Sequence, residues 1–261
     1  MATIGEILAD CTGTGMETRV MARPEWMQGR TLLGGLTALL QVHAAQRAFP
    51  DLPPLRSAQF AFSGPAVEEL VFTCELLRRG KNSAVISVDC RSGETLAARA
   101  LLTFAAPRPS TVVHDLKPAP QVIPPEEAPG FHRPGHTRAS GFPENFELKR
   151  LGGRRPLEGG DCEIYIWSRL VDDSGIDPGL IPIALGDGLP PAAMVQLRDR
   201  APVSTMTWSM DFFHPVAARG WHILRSVSEQ AADGYSLQYT DIWDAEGRRV
   251  AVARQMVAVF G

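Results

Sequence analysis

The chain is written twice, and that duplication limits what it can fold into more than any single motif does. In the first copy, GGLTALLQVHAAQRAF (34–49) puts Leu36, Leu39, Leu40, His43 and Ala44 at helical spacing, which predicts an amphipathic helix. Four alternating runs follow, split by turn signals. They are LRSAQFAF (55–62) before SGP, LVFTCELLRR (70–79) before GKN, SAVISVDC (83–90) before RSGE, and TLAARALLTFAA (95–106). The second copy repeats the order. ALGDGLPPAAMVQL (184–197) predicts a helix with Pro190 and Pro191 in its first turn, where proline is tolerated. VSTMTWSMDFF (203–213), WHILRSVSEQ (221–230), YSLQYTDIWD (235–244) and RRVAVARQMVAVF (248–260) then read as strands. FAFSGP (60–65) stands opposite MDFFHP (210–215), and SGE (92–94) opposite AEG (245–247).

Short connections between consecutive strands predict a mostly antiparallel sheet in each unit, an α+β arrangement. Each unit also has a leading strand, around METRVMA (16–22) in the first and CEIYIWSRL (162–170) in the second. The expected organisation is an N-terminal unit over 1–106, a connector over 107–160 and a C-terminal unit over 161–261. The connector's first half is crowded with proline, from Pro107 to Pro129, so it predicts an extended path across the surface of both units.

Composition removes several classes of function. A net charge of −3 and a pI near 6.1 give no electrostatic footprint for nucleic acid or an anionic membrane. No apolar run reaches the ~18 residues of a membrane span, and the N-terminus has no secretory pattern, so a soluble, cytoplasmic protein is expected. Cys11, Cys74, Cys90 and Cys162 form no C-x-x-C pair, so no metal site and no cofactor are expected. RRGKNS is not a phosphate loop, because Glu75 stands where the earlier glycine would be. His214, before a proline at a strand end, reads as structural.

The ordered set of a GGL-helix, F-x-F-x-x-P, R-R-G-K-N-S and a last strand bearing Gln255 resembles the acyl-CoA thioesterase II family, the TesB-like double hotdog proteins. The match covers roughly 30–106 and 160–261. The resemblance implies a double hotdog, two antiparallel sheets each wrapping a central helix and forming a pseudo-dimer in one chain. It also implies hydrolysis of an acyl-CoA thioester without a covalent intermediate, by an Asp, a hydroxyl and a Gln in the second unit. Carried over, these are Asp187 at the opening of the second helix, Thr205 at the start of the next strand, and Gln255 on the last. Before the proline of F-x-x-P, where the family often has Arg, the two copies carry Gly64 and His214.

The duplication tests this set without the family. Asp187 lies opposite Gly35, Thr205 opposite Leu55, and Gln255 opposite Leu101. A purely structural need would recur in both copies; here all three polar positions are apolar or Gly in the first. Chemically, Asp187 at a helix start stays ionised and serves as base or water acceptor. Thr205 and Gln255 position the water. Backbone N–H groups at Gly35 or Gly188 polarise the carbonyl.

Each residue keeps a second reading. Asp187 is also a plausible helix cap, and Gln255 a plausible partner for a buried backbone group. Strict alternation puts Thr205 on a polar face with Thr207, Ser209 and Asp211 unless the strand start is irregular. Two other functions stay open: a non-catalytic acyl-thioester-binding protein, and an enoyl-CoA hydratase-type hotdog, which needs an Asp/His pair that this segment lacks. Exposed sheet edges predict a homo-oligomer, a dimer or a tetramer.

Overall fold

A computed structural model describes residues 1–132, 141–213 and 219–260. His214 therefore lies outside the described residues. The chain opens with a short helix, α1 (Ile4–Ala9), closed by a Thr3–Glu6 capping box. Strand β1 (Glu17–Met21) and a small hairpin, β2 (Met27–Gln28) and β3 (Thr31–Leu32), lead into the long helix α2 (Gly34–Ala48). Strands β4 (Leu55–Phe62), β5 (Glu69–Arg79), β6 (Ser83–Ser92) and β7 (Thr95–Ala105) complete the first half. The second half contains β8 (Phe146–Gly153), β9 (Glu163–Leu170) and a short helix, α3 (Ile181–Gly186). Four strands end it: β10 (Val203–Phe212), β11 (His222–Ala232), β12 (Tyr235–Asp244) and β13 (Arg249–Val259).

The strands form one continuous eleven-stranded sheet, ordered β1-β5-β6-β7-β4-β10-β13-β12-β11-β9-β8. This corrects the expectation of two separate sheets. The halves fuse through β4 and β10, which pair antiparallel with Phe60 opposite Trp208. On either side of that seam the order is mirrored, so the duplication becomes an approximate two-fold. Ladder irregularities repeat as well. Shifts at Leu55/Ser57, Leu76/Arg78 and Cys90/Arg91 recur at Thr205/Thr207, Ser228/Gln230 and Ile242/Trp243. Bulges re-aim side chains, and these are inherited by both copies.

The two helices differ. α2 is buried all round over residues 35–42, instead of on one stripe, because the sheet wraps one side and α3 covers the other. The expected second helix over 184–197 is not continuous. Pro182 sits in the first turn of α3, the helix ends at Gly186, and Pro190–Pro191 sit in an extended link to a 3-10 turn, Ala192–Gln196. A proline disfavours the helical region for the residue before it, and two in succession do so for both Leu189 and Pro190, which is why the pair breaks the segment instead of opening it.

The connector also differs in part. Its end forms β8, which pairs with β9. Its proline-rich part is extended and lies over the outer face of the second half. There it covers the cross-strand row Trp167–Ile223–Trp243. Trp243 Nε1 donates to the Lys117 carbonyl at 3.1 Å and Trp167 Nε1 to the Ile123 carbonyl at 2.9 Å. Farther along, Asn145 reaches the first half, its amide donating to the Glu25 carbonyl.

Neither sheet edge is left open along its whole length. Thr12 pairs with Arg19 on β1, and residues 129–131 bond to Leu148 and Arg150 on β8. Such cover blunts edge-to-edge association. Among the described residues no helix is long and apolar enough to cross a membrane, and no group of three or more His, Cys, Asp or Glu is placed to hold a metal ion.

Candidate active site

The site is built where the two helices touch. Asp187 does not open a helix, as the sequence suggested; it caps the C-terminal end of α3. A carboxylate there meets the unfavourable end of that helix's dipole. Compensation comes from the other copy. Gly35, the second residue of α2, donates its N–H to Asp187 Oδ2 at 2.7 Å. That N–H is one of the donors a helix start leaves without an internal partner. The contact demands glycine. A Cβ on Gly35 would lie 2.8 Å from Asp187 Cβ and 3.2 Å from the Ile183 carbonyl oxygen, and one on Gly34 would lie 3.0 Å from Asp187 Oδ2. The glycine pair thus serves the close approach of α2 to the end of α3.

Gln255 lies on the inner face of β13, 4% exposed, between Ala253 and Val257. Its Nε2 donates to Asp187 Oδ1 at 3.1 Å. The amide cannot be turned the other way without loss, because its orientation is set from behind. The backbone N–H of Ala192 donates to Gln238 Oε1 at 2.6 Å, so that oxygen must accept. Gln238 Nε2 then donates to Gln255 Oε1 at 2.7 Å. A directed chain runs from a backbone N–H through two amides, and every donor along it points toward the carboxylate.

Gln238 was not singled out from the sequence. The repeat held the signal: strand pairing sets Gln238 where the first copy has the buried Ile86. The same pairing corrects one counterpart. Gln255 corresponds to Leu102, which is fully buried, and not to its exposed neighbour Leu101.

Asp187 is largely enclosed. Burial raises its pKa from 3.8 to about 6, and the hydrogen bonds from Gly35 and Gln255 hold it from rising farther. The part left open faces a cavity of about 980 Å³. Gly34 of α2, Phe62 of β4 and Thr205 of β10 line the same cavity.

Thr205 reaches it because of the duplicated bulge. Past the irregularity Thr205 stands opposite Val257, while Trp208 stands opposite Gln255. Directly paired residues share a face, and both partners are buried on the inner one. Met206 is the extra residue, turned outward and 43% exposed. Strict alternation from Thr207 would have put Thr205 outside.

The structure therefore brings Asp187, Thr205, Gln255 and Gly35 to one place, but it changes the part Gly35 plays. Its N–H is taken by Asp187, so Gly34, the first residue of α2 and a lining residue, presents the free helix-start N–H instead. Gly188 is not part of the site. Its N–H bonds to the Leu185 carbonyl at 3.1 Å, and a Cβ there would meet the Phe146 ring at 2.7 Å.

Comparisons with known proteins give the same architecture. The family profile for the acyl-CoA thioesterase C-terminal domain matches residues 124–259, and that for the N-terminal domain matches residues 22–105. A protein of unknown function with a hot dog fold from Alicyclobacillus acidocaldarius superposes with a TM-score of 0.88 at 19% identity, covering 100% of this chain and 99% of that one. The tesB protein of Mycobacterium avium subsp. paratuberculosis gives 0.81 at 16% identity, over 99% of this chain and 100% of that one. Acyl-CoA thioesterase II TesB2 from Mycobacterium marinum gives 0.78 at 22% identity, over 99% of each chain. No functionally curated protein sequence matches.

Proposed function

The chain belongs to the acyl-CoA thioesterase family, and from that premise we propose that Asp187, Gln255 and Thr205 hydrolyse an acyl-CoA thioester with a directly activated water. The observation that carries the reading is the enclosed carboxylate of Asp187, held by two donors and open on one side to the cavity.

Asp187 takes a proton from water as the oxygen attacks the thioester carbon. The Thr205 hydroxyl fixes the water's second hydrogen bond, and Gln255 keeps the carboxylate from turning. Negative charge gathers on the former carbonyl oxygen, and the N–H of Gly34, which lines the cavity at the start of a fifteen-residue helix, is a donor of the right kind to meet it. Collapse of the tetrahedral species breaks the carbon–sulfur bond. The proton held by Asp187 passes to the leaving thiolate, giving free acid and CoA. A covalent route would need a nucleophile beside a base. The described residues lining the cavity include no cysteine and no histidine; the Thr31, Thr37 and Ser63 hydroxyls already donate to the Leu32, Leu33 and Leu96 carbonyls, Ser204 is exposed, and the Thr205 hydroxyl is assigned to the water. The missing histidine also argues against a hydratase.

The direct test is thiol release from a panel of acyl-CoAs. Binding without release supports the non-catalytic alternative, and water addition to an enoyl-CoA supports the hydratase. The pH profile is a second test. The working form of Asp187 is ionised, so kcat is constant above the pKa and falls tenfold per pH unit once the pH drops below about 6. A limb near 4 would mean that the titrating group is an ordinary exposed carboxylate.

Gln238 acts through Gln255 and is a positioning residue. Gln238→Leu frees the Gln255 amide to rotate its oxygen toward Asp187. The expected result is a kcat lower by about tenfold, a nearly unchanged KM, and an acid limb moved to higher pH. A merely structural role would leave that limb in place.

We further propose cytoplasmic fatty-acyl metabolism as the setting. Because both edges are partly covered, a homo-oligomer would form through a sheet face.

A further inference from the structure

Two charged side chains line the cavity among the described residues: Asp187, largely enclosed, and Arg30, exposed. Arg30 stands with Gly29, whose φ is +63°, at the turn between β2 and β3. Its hairpin has a fixed base. Met27 pairs with Leu32 and Gln28 with Thr31. Leu32 N–H donates to the Ala66 carbonyl at 2.8 Å, Ala66 N–H to Thr31 Oγ1 at 2.9 Å, and Leu33 N–H to the Trp26 carbonyl at 2.9 Å. Arg30 itself makes no hydrogen bond or ion pair with the described residues, whereas Arg19, Arg23, Arg79 and Arg99 each hold a carboxylate.

Three residues separate Arg30 from Gly34, at most about 14 Å of extended chain. Arg30 is exposed at the tip of the hairpin. One cavity thus has a carbonyl-polarising N–H and a carboxylate at its enclosed end, and a single unpaired fork of donors at its mouth, with room for a flexible arm between. Guanidinium suits phosphate oxygens, which it can bind through two parallel bonds.

We infer that Arg30 grips a phosphate of the nucleotide end of coenzyme A and so distinguishes acyl-CoA from smaller thioesters. This rests on the thioesterase reading above and adds the group that selects the carrier. The test compares wild type, Arg30→Ala and Arg30→Lys on two substrates with the same acyl group: the CoA ester, and the N-acetylcysteamine ester, which has no phosphate. Arg30→Ala is expected to raise KM for the CoA ester about tenfold with kcat within twofold, and Arg30→Lys to recover part of that loss. The variant-to-wild-type ratio on the phosphate-free ester should stay near one. Added salt should raise the wild-type KM for the CoA ester more steeply than that of Arg30→Ala. Equal losses on both substrates, or an unchanged KM for the CoA ester, would overturn the inference while hydrolysis stands. If the wild type releases no thiol, calorimetric binding of free CoA separates the claims. Tenfold weaker binding by Arg30→Ala upholds the grip without the hydrolase, and equal binding rejects it.

Discussion

Asp187→Asn should lower thiol release from acyl-CoA by at least about a thousandfold while the protein still binds acyl-CoA. The amide has the shape of the carboxylate but cannot take a proton from water, so the loss belongs to kcat and not to KM. The substitution also touches the hydrogen bonds. Gly35 N–H and Gln255 Nε2 both donate to Asp187, one to each oxygen. An asparagine offers one accepting oxygen, so one donor is left facing an NH₂ at a cost of about 1–3 kcal/mol. Relief of a buried negative charge acts in the opposite direction. Thermal melting of the variant reads this balance and separates lost chemistry from lost fold. A folded Asp187→Asn protein within tenfold of wild-type kcat would sink the assignment.

Gln255→Leu should cost kcat about a hundredfold and move the acid limb upward from about 6. Leucine is what the first copy carries at the matching position, Leu102, packed in the same kind of sheet interior. Shape is therefore not the obstacle. The loss is polar. Asp187 keeps one donor instead of two, so its charged form is less well held and its pKa rises. Gln238 Nε2 loses its acceptor and stays buried without a partner. The strain should appear as a melting temperature lower by several degrees, consistent with one or two unmade buried hydrogen bonds. Retention of wild-type kcat with an unmoved limb would mean that Gln255 serves packing alone.

Much of this architecture is legible in the amino-acid order, and the reasons are local. Alternation, glycine-bearing turns and the repeat locate the long strands to within a residue or two, because each is set by its own side chains and its immediate turn. Gln255 is legible for the same reason: its neighbours on one face are all apolar. Asp187 was found but misplaced. Pro190 and Pro191 read equally well as opening a helix or as ending one, and only tertiary packing on α2 decides. β8 escaped because FELKRLGG, with two basic residues and two glycines, resembles the tail of a linker. Thr205 needed a bulge that no alternation rule contains, although its twin at Leu55/Ser57 means the irregularity belongs to both copies. Contacts between copies, such as Gly35 to Asp187 across the α2–α3 seam, have no signature in either segment alone.

That seam has a consequence for the engineering of such chains. The half that lacks counterparts of Asp187, Thr205 and Gln255 still supplies the N–H that tethers the carboxylate, so neither half is a spare. Expressed apart, each would be inert, and activity should return only when the two fragments are mixed and reassociate through β4 and β10. The first half therefore cannot be trimmed away in engineering, because the carboxylate of its partner leans on its backbone.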